Sequence, residues 1–403
     1  MLKAFRLILN NRSIGTTTLV LFIYAFTIAA TTPFQAVIAI NELGLSNQAF
    51  ALVLGAGSVV NVVTSVSVGL ISDHSNRRKL LFIVLCFSGF AGYGLTFALH
   101  NAAAFIICSL TLIPPSMAIY SMIFANVRRE SVKLESQLAN TVTSIVRSVY
   151  SAGWVLVPGL MGWWLSASPS LMPIYLVAAL ASLACAIIYA VFAPAETMES
   201  TNAKLGFAAS LALLFNKGIG LRLASMTLLL SALLLSFTST PLVIVNLIDG
   251  NKSDVGKIYS LIPIFEVPFM LMWGWVANRI SIEKSLAIAA LIFAAYMLAL
   301  SQVTHVWQVY ALTIVNACAA SAILSLQISY FQNLIVDRPG LSTALLPINS
   351  FISTALRAAV FAGATMFTSY QGTMVVGSCM FVVGAALMVW LAKLGERKTD
   401  RRN

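Results

Sequence analysis

Charged residues are scarce in this sequence of 403 residues. Asp, Glu, Lys and Arg make up 9% of the chain, whereas soluble domains contain roughly 25% charged residues. Hydrophobic residues make up 59%, which is more apolar surface than a water-soluble globule can bury. The shortage of charge therefore excludes a soluble fold and indicates a chain that lies largely in a lipid bilayer.

The sequence also lacks the residue clusters that hold metals, form disulfides or carry out catalysis. Its five cysteines occur singly inside apolar segments, with no CxxC pair, and its three histidines are scattered over separate loops. The sequence has no His/Asp/Cys constellation and no soluble domain that would indicate a membrane-embedded enzyme or receptor. We therefore expect no metal, no cofactor and no enzymatic activity.

Long apolar segments dominate what is present. In lipid each backbone amide needs a partner within the spanning structure, so only helices or closed barrels cross a bilayer. The segments do not alternate as barrel strands would, which predicts helices of about 20 residues or more. We expect helices near 14–40, 47–71, 79–99, 103–126, 138–166, 170–193, 218–246, 253–277, 284–304, 307–334, 342–367 and 372–392.

The basic residues follow the topology of such a chain. If the first helix runs outward, 20 of the 24 Lys and Arg residues fall on one side of the membrane. Cytoplasmic loops carry this excess, so both termini and the central loop are predicted to be cytoplasmic. The net charge of +11 is thus a topology signal and implies no nucleic-acid partner.

A weak internal repeat divides the chain into two matching halves. TTPFQAVIAI (31–40) aligns with STPLVIVNLI (239–248), and Arg147 precedes Gly153 by the same six residues as Arg357 precedes Gly363. The predicted fold is an all-α membrane protein with twelve transmembrane helices in two six-helix bundles. The predicted domains are an N-terminal bundle, a polar cytoplasmic connector and a C-terminal bundle with a short basic tail, at residues 1–193, 194–217 and 218–403.

Three charged residues lie far from the predicted helix ends: Arg147, Glu266 and Arg357. A charge at the bilayer centre costs roughly 2.5–3.5 kcal/mol on insertion scales, so these residues are expected to be functional and to face a polar cavity. Glu266, the one acid among them, is the predicted proton-coupling site. Two alternatives stay open: a static buried ion pair, and a boundary error that places Glu266 in solvent.

Polar and aromatic residues in the same segments are suited to a hydroxylated solute, because a sugar ring has a polar rim and an apolar face. Taken singly, each is better explained as a packing or interhelix residue. Together with Arg147 and Arg357, the predicted substrate cavity contains Tyr24, Gln35, Asn61, Tyr120, Tyr150, Trp154, Asn316, Gln327 and Asn349.

The loop GLISDHSNRRK (69–79) resembles the signature loop between helices 2 and 3 of major facilitator transporters. Gly69 is expected to permit close helix approach, and Asp73 to pair with a cation or cap a helix. The resemblance implies a cytoplasmic gating latch formed by these two residues with Arg77 and Arg78. The loop departs from the pattern at Asn76, where the family has Gly.

Helix 5 contains VPGLMG (157–162), a partial match to the Gly-Pro motif of antiporters in this superfamily. Val157 stands where the motif has Gly. The alternative is a kinked helix whose small residues allow close packing.

Stretches in both halves resemble the bacterial sugar efflux transporter family. They are SDHSNRRKL (72–80), the spacing Arg147-x6-Trp154-x3-Pro158, FEVPFML (265–271), YFQNL (330–334) and PGLSTA (339–344). This resemblance implies export of small sugars or glycosides, driven by proton antiport through alternating access.

The implied setting is the bacterial inner membrane, with a saccharide substrate, protons and lipid as partners and a monomer as the working unit. The alternative function is a proton-coupled antiporter on the same fold that exports drugs or other small metabolites.

Overall fold

The protein is described here by a computed structural model that covers residues 2–74, 77–131, 134, 136–194, 217–334 and 339–400. Within these ranges every element of regular secondary structure is helical. This agrees with the prediction from composition, since lipid leaves the backbone no water to bond.

The helices up to residue 194 are α1 (Leu2–Asn10), α2 (Arg12–Thr31), α3 (Gln35–Val37), α4 (Asn47–His74), α5 (Arg78–Leu99), α6 (Ala102–Thr111), α7 (Ile113–Ser131), α8 (Ser136–Trp164) and α9 (Pro173–Phe192). A π-helical turn, Ile38–Glu42, extends α3. The helices from residue 217 onward are α10 (Lys217–Leu247), α11 (Lys252–Ala277), α12 (Ile282–Leu300), α13 (Val306–Leu334), α14 (Pro339–Phe367) and α15 (Tyr370–Asp400).

Eleven helical segments of the described chain are long and apolar enough to cross a membrane. The helix α8 has 29 residues but is not among the eleven. Its first half, SQLANTVTSIVR, is polar and ends on Arg147, which lowers its hydropathy. The architecture is that of a multi-pass membrane protein, and the count of twelve spans stays a prediction.

Prolines divide two segments that we expected to be continuous. The predicted helix 14–40 is interrupted after Thr31, next to Pro33, and the predicted helix 103–126 is interrupted at Leu112, next to Pro114. Proline has no amide hydrogen, and its ring clashes with the carbonyl one turn earlier. Hydropathy does not register these breaks, because the flanking residues stay apolar.

Contacts divide the chain into two units. Unit 1 comprises Met1–Leu45, Ala56–Asn202 and Val255–Ser260, and unit 2 comprises Ser46–Gly55, Ala203–Asp254 and Leu261–Asn403. Each unit thus includes a short segment from the other half of the sequence. The predicted connector, 194–217, lies almost entirely outside the described residues.

The same helix pairs pack in both units. In unit 1, α2 packs on α8 and α9, and α5 packs on α7 and α9. In unit 2, α10 packs on α14 and α15, and α12 packs on α13 and α15. The paired helices of unit 2 occur in the same order along the chain as the corresponding helices of unit 1. The weak sequence repeat is therefore matched by a repeat in packing.

Cations close the C-terminal end of α9 in unit 1. Arg12 Nε donates to the Phe192 carbonyl at 2.9 Å, and Lys79 Nζ donates to the Ala193 carbonyl at 2.9 Å. The last carbonyls of a helix lack amide partners and carry partial negative charge, so positive side chains stabilise them. These contacts fix α2 and the start of α5 against α9.

A carboxylate holds the loop before α9. Glu42 accepts hydrogen bonds from the Leu171 amide at 2.6 Å and from the Ser170 hydroxyl at 2.8 Å. Both contacts satisfy polar groups in a loop next to an apolar helix, where an unpaired backbone amide is costly. The π-helical turn after α3 is therefore tied to the loop that leads into α9.

The repeat glycines Gly153 and Gly363 have different surroundings. A Cβ placed on Gly153 of α8 would collide with the Cβ of Ala25 on α2. A Cβ placed on Gly363 of α14 would have no neighbouring atom within 4 Å among the described residues. Gly153 is required by close helix packing, which is how many membrane helices associate, whereas Gly363 has space around it.

We expect Gly153→Ala to lower the free energy of unfolding by about 1–3 kcal/mol, because the added methyl overpacks the contact between α8 and α2. The matched variant Gly363→Ala is expected to be neutral or to stabilise by up to about 1 kcal/mol through helix propensity. Thermal unfolding of the purified protein in detergent measures both. Equal effects of the two substitutions would contradict the packing described for Gly153.

Candidate functional site

One face of α8 in unit 1 presents three residues of the predicted substrate cavity. Arg147, Tyr150 and Trp154 follow one another at spacings of three and four residues, which places them on the same side of a helix. Arg147 is exposed, and the two aromatic side chains are half-buried. The Trp154 side chain lies next to the Tyr150 side chain. The helix period therefore brings a cation and two aromatic rings together.

A tyrosine on α7 extends this surface. The rings of Tyr120 and Tyr150 pack edge to face with centroids 5.1 Å apart, and Tyr120 also contacts Phe124 at 4.8 Å. Such packing fixes ring orientation and adds roughly 0.5–1.5 kcal/mol per pair. Tyr120 also lies within electrostatic reach of the Arg147 guanidinium. We call Tyr120, Arg147, Tyr150 and Trp154 the aromatic–arginine cluster.

Tyr24 lies deeper in unit 1. Its side chain is buried in the core cluster, and its hydroxyl donates to the Ser116 carbonyl at 3.3 Å. Gln35 on α3 and Asn61 on α4 are half-buried, and Asn61 Oδ1 accepts a hydrogen bond from the Ser65 hydroxyl at 3.3 Å. Tyr24 is thus a packing residue of this unit, while Gln35 and Asn61 retain exposed surface.

The VPGLMG segment of α8 forms a tight contact with the start of α11, whose residues 255–260 belong to unit 1. The Gly159 amide donates to the Ser260 hydroxyl at 2.7 Å. A Cβ on Gly256 would collide with the Pro158 carbonyl and approach the Gly162 backbone to 2.9 Å. The small residues of this motif allow close helix packing, which is the alternative to an antiporter motif given above. Ser260, which contacts them, was not predicted from the sequence.

In unit 2, Arg357 is half-buried on α14. Its Nη1 donates to the Thr238 hydroxyl of α10 at 3.3 Å. Its buried Nε has no hydrogen-bond partner among the described residues. Thr238 was not predicted; it lies one turn before Pro241, just ahead of the repeat segment 239–248.

Glu266 lies near the middle of α11 and is half-buried. Within the described part of unit 2, its carboxylate has no hydrogen bond and no ion-pair partner. Pro263 and Pro268 flank it, and each removes one amide from the helical hydrogen bonding. The carboxylate therefore lies in a helix segment that is less constrained than its neighbours.

The three predicted amides of unit 2 occupy different environments. Asn349 is fully buried and accepts a hydrogen bond from the Thr227 hydroxyl at 2.9 Å. Asn316 is buried and lies next to the Tyr296 side chain of α12. Gln327 is half-buried and donates to the Leu324 carbonyl of its own helix at 3.4 Å. Asn316 and Asn349 thus join helices inside unit 2.

The predicted gating loop is described only in part. Gly69 is exposed, and a Cβ there would meet no described atom within 4 Å, so the close helix approach that we expected at Gly69 is not seen. Arg77 is exposed, and Arg78 Nε donates to the Ser72 carbonyl at 2.6 Å. The side chain of Asp73 and residue Asn76 lie outside the described residues.

The family model of the Major Facilitator Superfamily matches residues 17–356. The chain belongs to this superfamily.

Similarity to individual proteins covers most of the chain. This major facilitator protein is 23% identical to Sugar efflux transporter C of Escherichia coli, over 81% of its own length and 82% of that protein. It is 21% identical to Sugar efflux transporter A of Dickeya chrysanthemi, over 83% of its own length and 84% of that protein.

The fold is also that of a solved transporter. The crystal structure of the nucleoside transporter NupG superposes with a TM-score of 0.75 at 14% identity, covering 93% of this chain and 98% of that one. The chain is therefore a multi-pass membrane transporter and not an enzyme, and the recognition of the superfamily from residues 69–79 is confirmed.

Thr238→Val is expected to destabilise the protein by about 1.5–3 kcal/mol more than Thr313→Val does, because it removes the hydroxyl that accepts from the Arg357 guanidinium. Both threonines are buried, and both donate to a carbonyl of their own helix, at 3.0 Å and 2.9 Å. Thr313 therefore controls for the loss of a hydroxyl alone. Thermal unfolding of the two variants measures the difference, and equal melting temperatures would show that the contact with Arg357 adds no stability.

Proposed function

We propose that this major facilitator protein exports small sugars or glycosides across the bacterial inner membrane. The observation that carries the proposal is the aromatic–arginine cluster, in which the rings of Tyr120 and Tyr150 pack together and Tyr120 lies within electrostatic reach of the Arg147 guanidinium. The similarity to two sugar efflux transporters over more than four-fifths of the chain supports both the substrate class and the direction.

The chemistry of the cluster suits a saccharide. The apolar face of a sugar ring packs on an aromatic side chain, while its hydroxyls need hydrogen-bond donors and acceptors around the rim. Trp154 and Tyr150 supply ring faces, and the Tyr120 hydroxyl and the Arg147 guanidinium supply polar groups. An exporter of lipophilic cations is disfavoured, since Arg147 would repel a positively charged substrate.

Energy coupling is assigned to Glu266. A carboxylate far from the ends of a membrane helix is costly when ionised, so its protonation state depends strongly on what surrounds it. In the proposed antiport cycle, a proton from outside binds this carboxylate in one conformation and sugar from the cytoplasm binds in the other. Alternating access then couples inward proton movement to outward sugar movement.

The remaining assignments complete the proposal. Helix α8, whose polar first half contains Arg147, has 29 residues. It is long enough to span a bilayer and would be the twelfth span. Both termini are assigned to the cytoplasm by the distribution of Lys and Arg. One chain is sufficient for the cycle, so the working unit is assigned as a monomer.

Substrate class is tested with Trp154→Ala in proteoliposomes. We expect the variant to bind sugar about tenfold more weakly, because the loss of one stacking contact corresponds to roughly 1–1.5 kcal/mol. The matched control is Trp163→Ala on the same helix, whose side chain is 69% exposed and which is expected to transport normally. Exchange of labelled for unlabelled sugar, measured over a panel of mono- and disaccharides with nucleosides and lipophilic cations as comparison, gives the affinities. Transport of the cations but of no sugar would contradict the proposal.

Coupling is tested with Glu266→Gln. The neutral amide cannot take up a proton, so we expect export driven by a proton gradient to be abolished while exchange of sugar across the membrane at equilibrium persists. The control is Glu283→Gln, which removes an acid in the first turn of α12 that pairs with Arg222 at 3.7 Å. Undiminished gradient-driven export by Glu266→Gln would end the coupling assignment and leave the substrate assignment standing.

A further inference from the structure

Helix α14 of unit 2 presents a row of polar side chains to α10. Asn349, Ser353 and Arg357 follow one another at spacings of four residues, so they lie along one side of the helix. Asn349 Oδ1 accepts from the Thr227 hydroxyl of α10 at 2.9 Å, and the Ser353 hydroxyl donates to the Thr227 carbonyl at 3.3 Å. These hydrogen bonds fix the position of α14 against α10 in the two turns before Arg357.

One end of the Arg357 guanidinium is held by α10. Its Nη1 donates to the Thr238 hydroxyl at 3.3 Å. The Thr238 hydroxyl donates its own proton to the Leu234 carbonyl at 3.0 Å, so its oxygen turns a lone pair toward the guanidinium. The chain therefore orients the Arg357 side chain before any ligand binds, which lowers the entropic cost of binding.

The opposite edge of the Arg357 guanidinium is unused. Its Nε is buried without a hydrogen-bond partner, and its Nη2 donates to no residue of the described chain. The Nε–H and one N–H of Nη2 point in parallel from this edge of the planar group. Two parallel N–H donors match the two oxygens of one carboxylate, which is how arginine pairs with carboxylates at two points.

The charge of Arg357 is not compensated by a described acid of unit 2. Arg357 forms no ion pair with these acids, and none of them lies within electrostatic reach of its guanidinium. The acid that does form an ion pair there, Glu283, is paired with Arg222 at 3.7 Å. A guanidinium inside a membrane protein is costly when it is unpaired, so an anion at its open edge is stabilised.

The acids of unit 2 whose side chains are not described are distant along the helices. Asp337 precedes the first residue of α14, which is about 27 Å from Arg357 at 1.5 Å per residue. Glu396 and Asp400 lie about 39 Å or more from Tyr370, the first residue of α15, whereas Arg357 is about 15 Å from the end of α14 that leads into it. These acids are therefore not partners of the guanidinium.

We propose that Arg357 binds the carboxylate of an acidic sugar, such as a uronate, through its Nε–Nη2 edge. The inference rests on the proposed export of sugars and narrows its substrate class. Arg357 is half-buried, so part of the side chain remains accessible to a solute. A phosphate group, with up to two negative charges, suits a site with several cations, but no second described cation lies within electrostatic reach of Arg357.

The direct test compares the binding of D-glucuronate, its methyl ester and D-glucose to the purified full-length protein by calorimetry. We expect glucuronate to bind about ten- to a hundredfold more tightly than the other two, because only the carboxylate forms charge-assisted hydrogen bonds with a guanidinium. The methyl ester has nearly the shape of the acid without its charge, so this comparison needs no variant. Equal affinities for glucuronate and its ester would overturn the proposal.

The residue is tested through the ratio of the affinities for glucuronate and glucose. Arg357→Gln is expected to reduce this ratio to within about threefold of unity, and Arg357→Lys to lose most of it, since lysine keeps the charge but not the paired donors. The control is Arg279→Gln, which removes an exposed guanidinium that stacks on Trp275 at 4.1 Å and should keep the full ratio. Equal loss in Arg357→Gln and Arg279→Gln would show a diffuse charge effect and overturn the site.

Further outcomes separate this inference from the proposed export of sugars. Binding of neutral sugars with no preference for glucuronate would overturn the acidic substrate and leave sugar export standing. Absence of binding for every sugar would contradict both. Tighter binding of glucose 6-phosphate than of glucuronate, lost in Arg357→Gln, would assign the guanidinium to phosphate and overturn its assignment to a carboxylate.

Discussion

The absence of water in the hydrocarbon region governs this structure. A backbone amide that leaves its helix there has no solvent partner, so every element of regular secondary structure in the described chain is helical. The same condition applies to side chains. Arg12 and Lys79 close the end of α9, and Glu42 satisfies the loop that leads into it. These three charged side chains lie where helices end and where backbone groups have no partner within a helix.

In a bilayer the hydrophobic effect does not drive helices together, so helix packing depends on how closely the helices approach each other. Lipid is as apolar as a leucine side chain, so helices in a bilayer associate by contact of small residues and by hydrogen bonds. Gly153 against Ala25, and Gly256 against the backbone around Pro158, illustrate the first. Gly159 with Ser260, and Thr227 with Asn349, illustrate the second. Such contacts explain why several polar residues of the sequence serve packing while others remain accessible to a solute.

Charges inside helices are arranged differently in the two units. Arg147 is exposed beside aromatic rings, whereas Arg357 is half-buried and bonded to Thr238. The repeat gives these two arginines equivalent positions in sequence, yet their surroundings are not equivalent. Glu266 is the one acid of the three charges, and it lies between two prolines of α11. In the proposed cycle this asymmetry separates substrate recognition by Arg147 from proton binding by Glu266.

The sequence by itself determined the membrane class, the approximate positions of most helices and the superfamily, because long apolar runs and the loop at 69–79 are local patterns. It also named Arg147, Tyr150 and Trp154 among the residues of the predicted substrate cavity, and the structure places the three on one face of α8. Only the tertiary structure decided that Tyr24, Asn316 and Asn349 are interior residues. It also decided that Arg78 and Arg129 line the same cavity. Burial and contact between distant segments depend on how helices pack, and hydropathy carries no information about which face of a helix meets its neighbour.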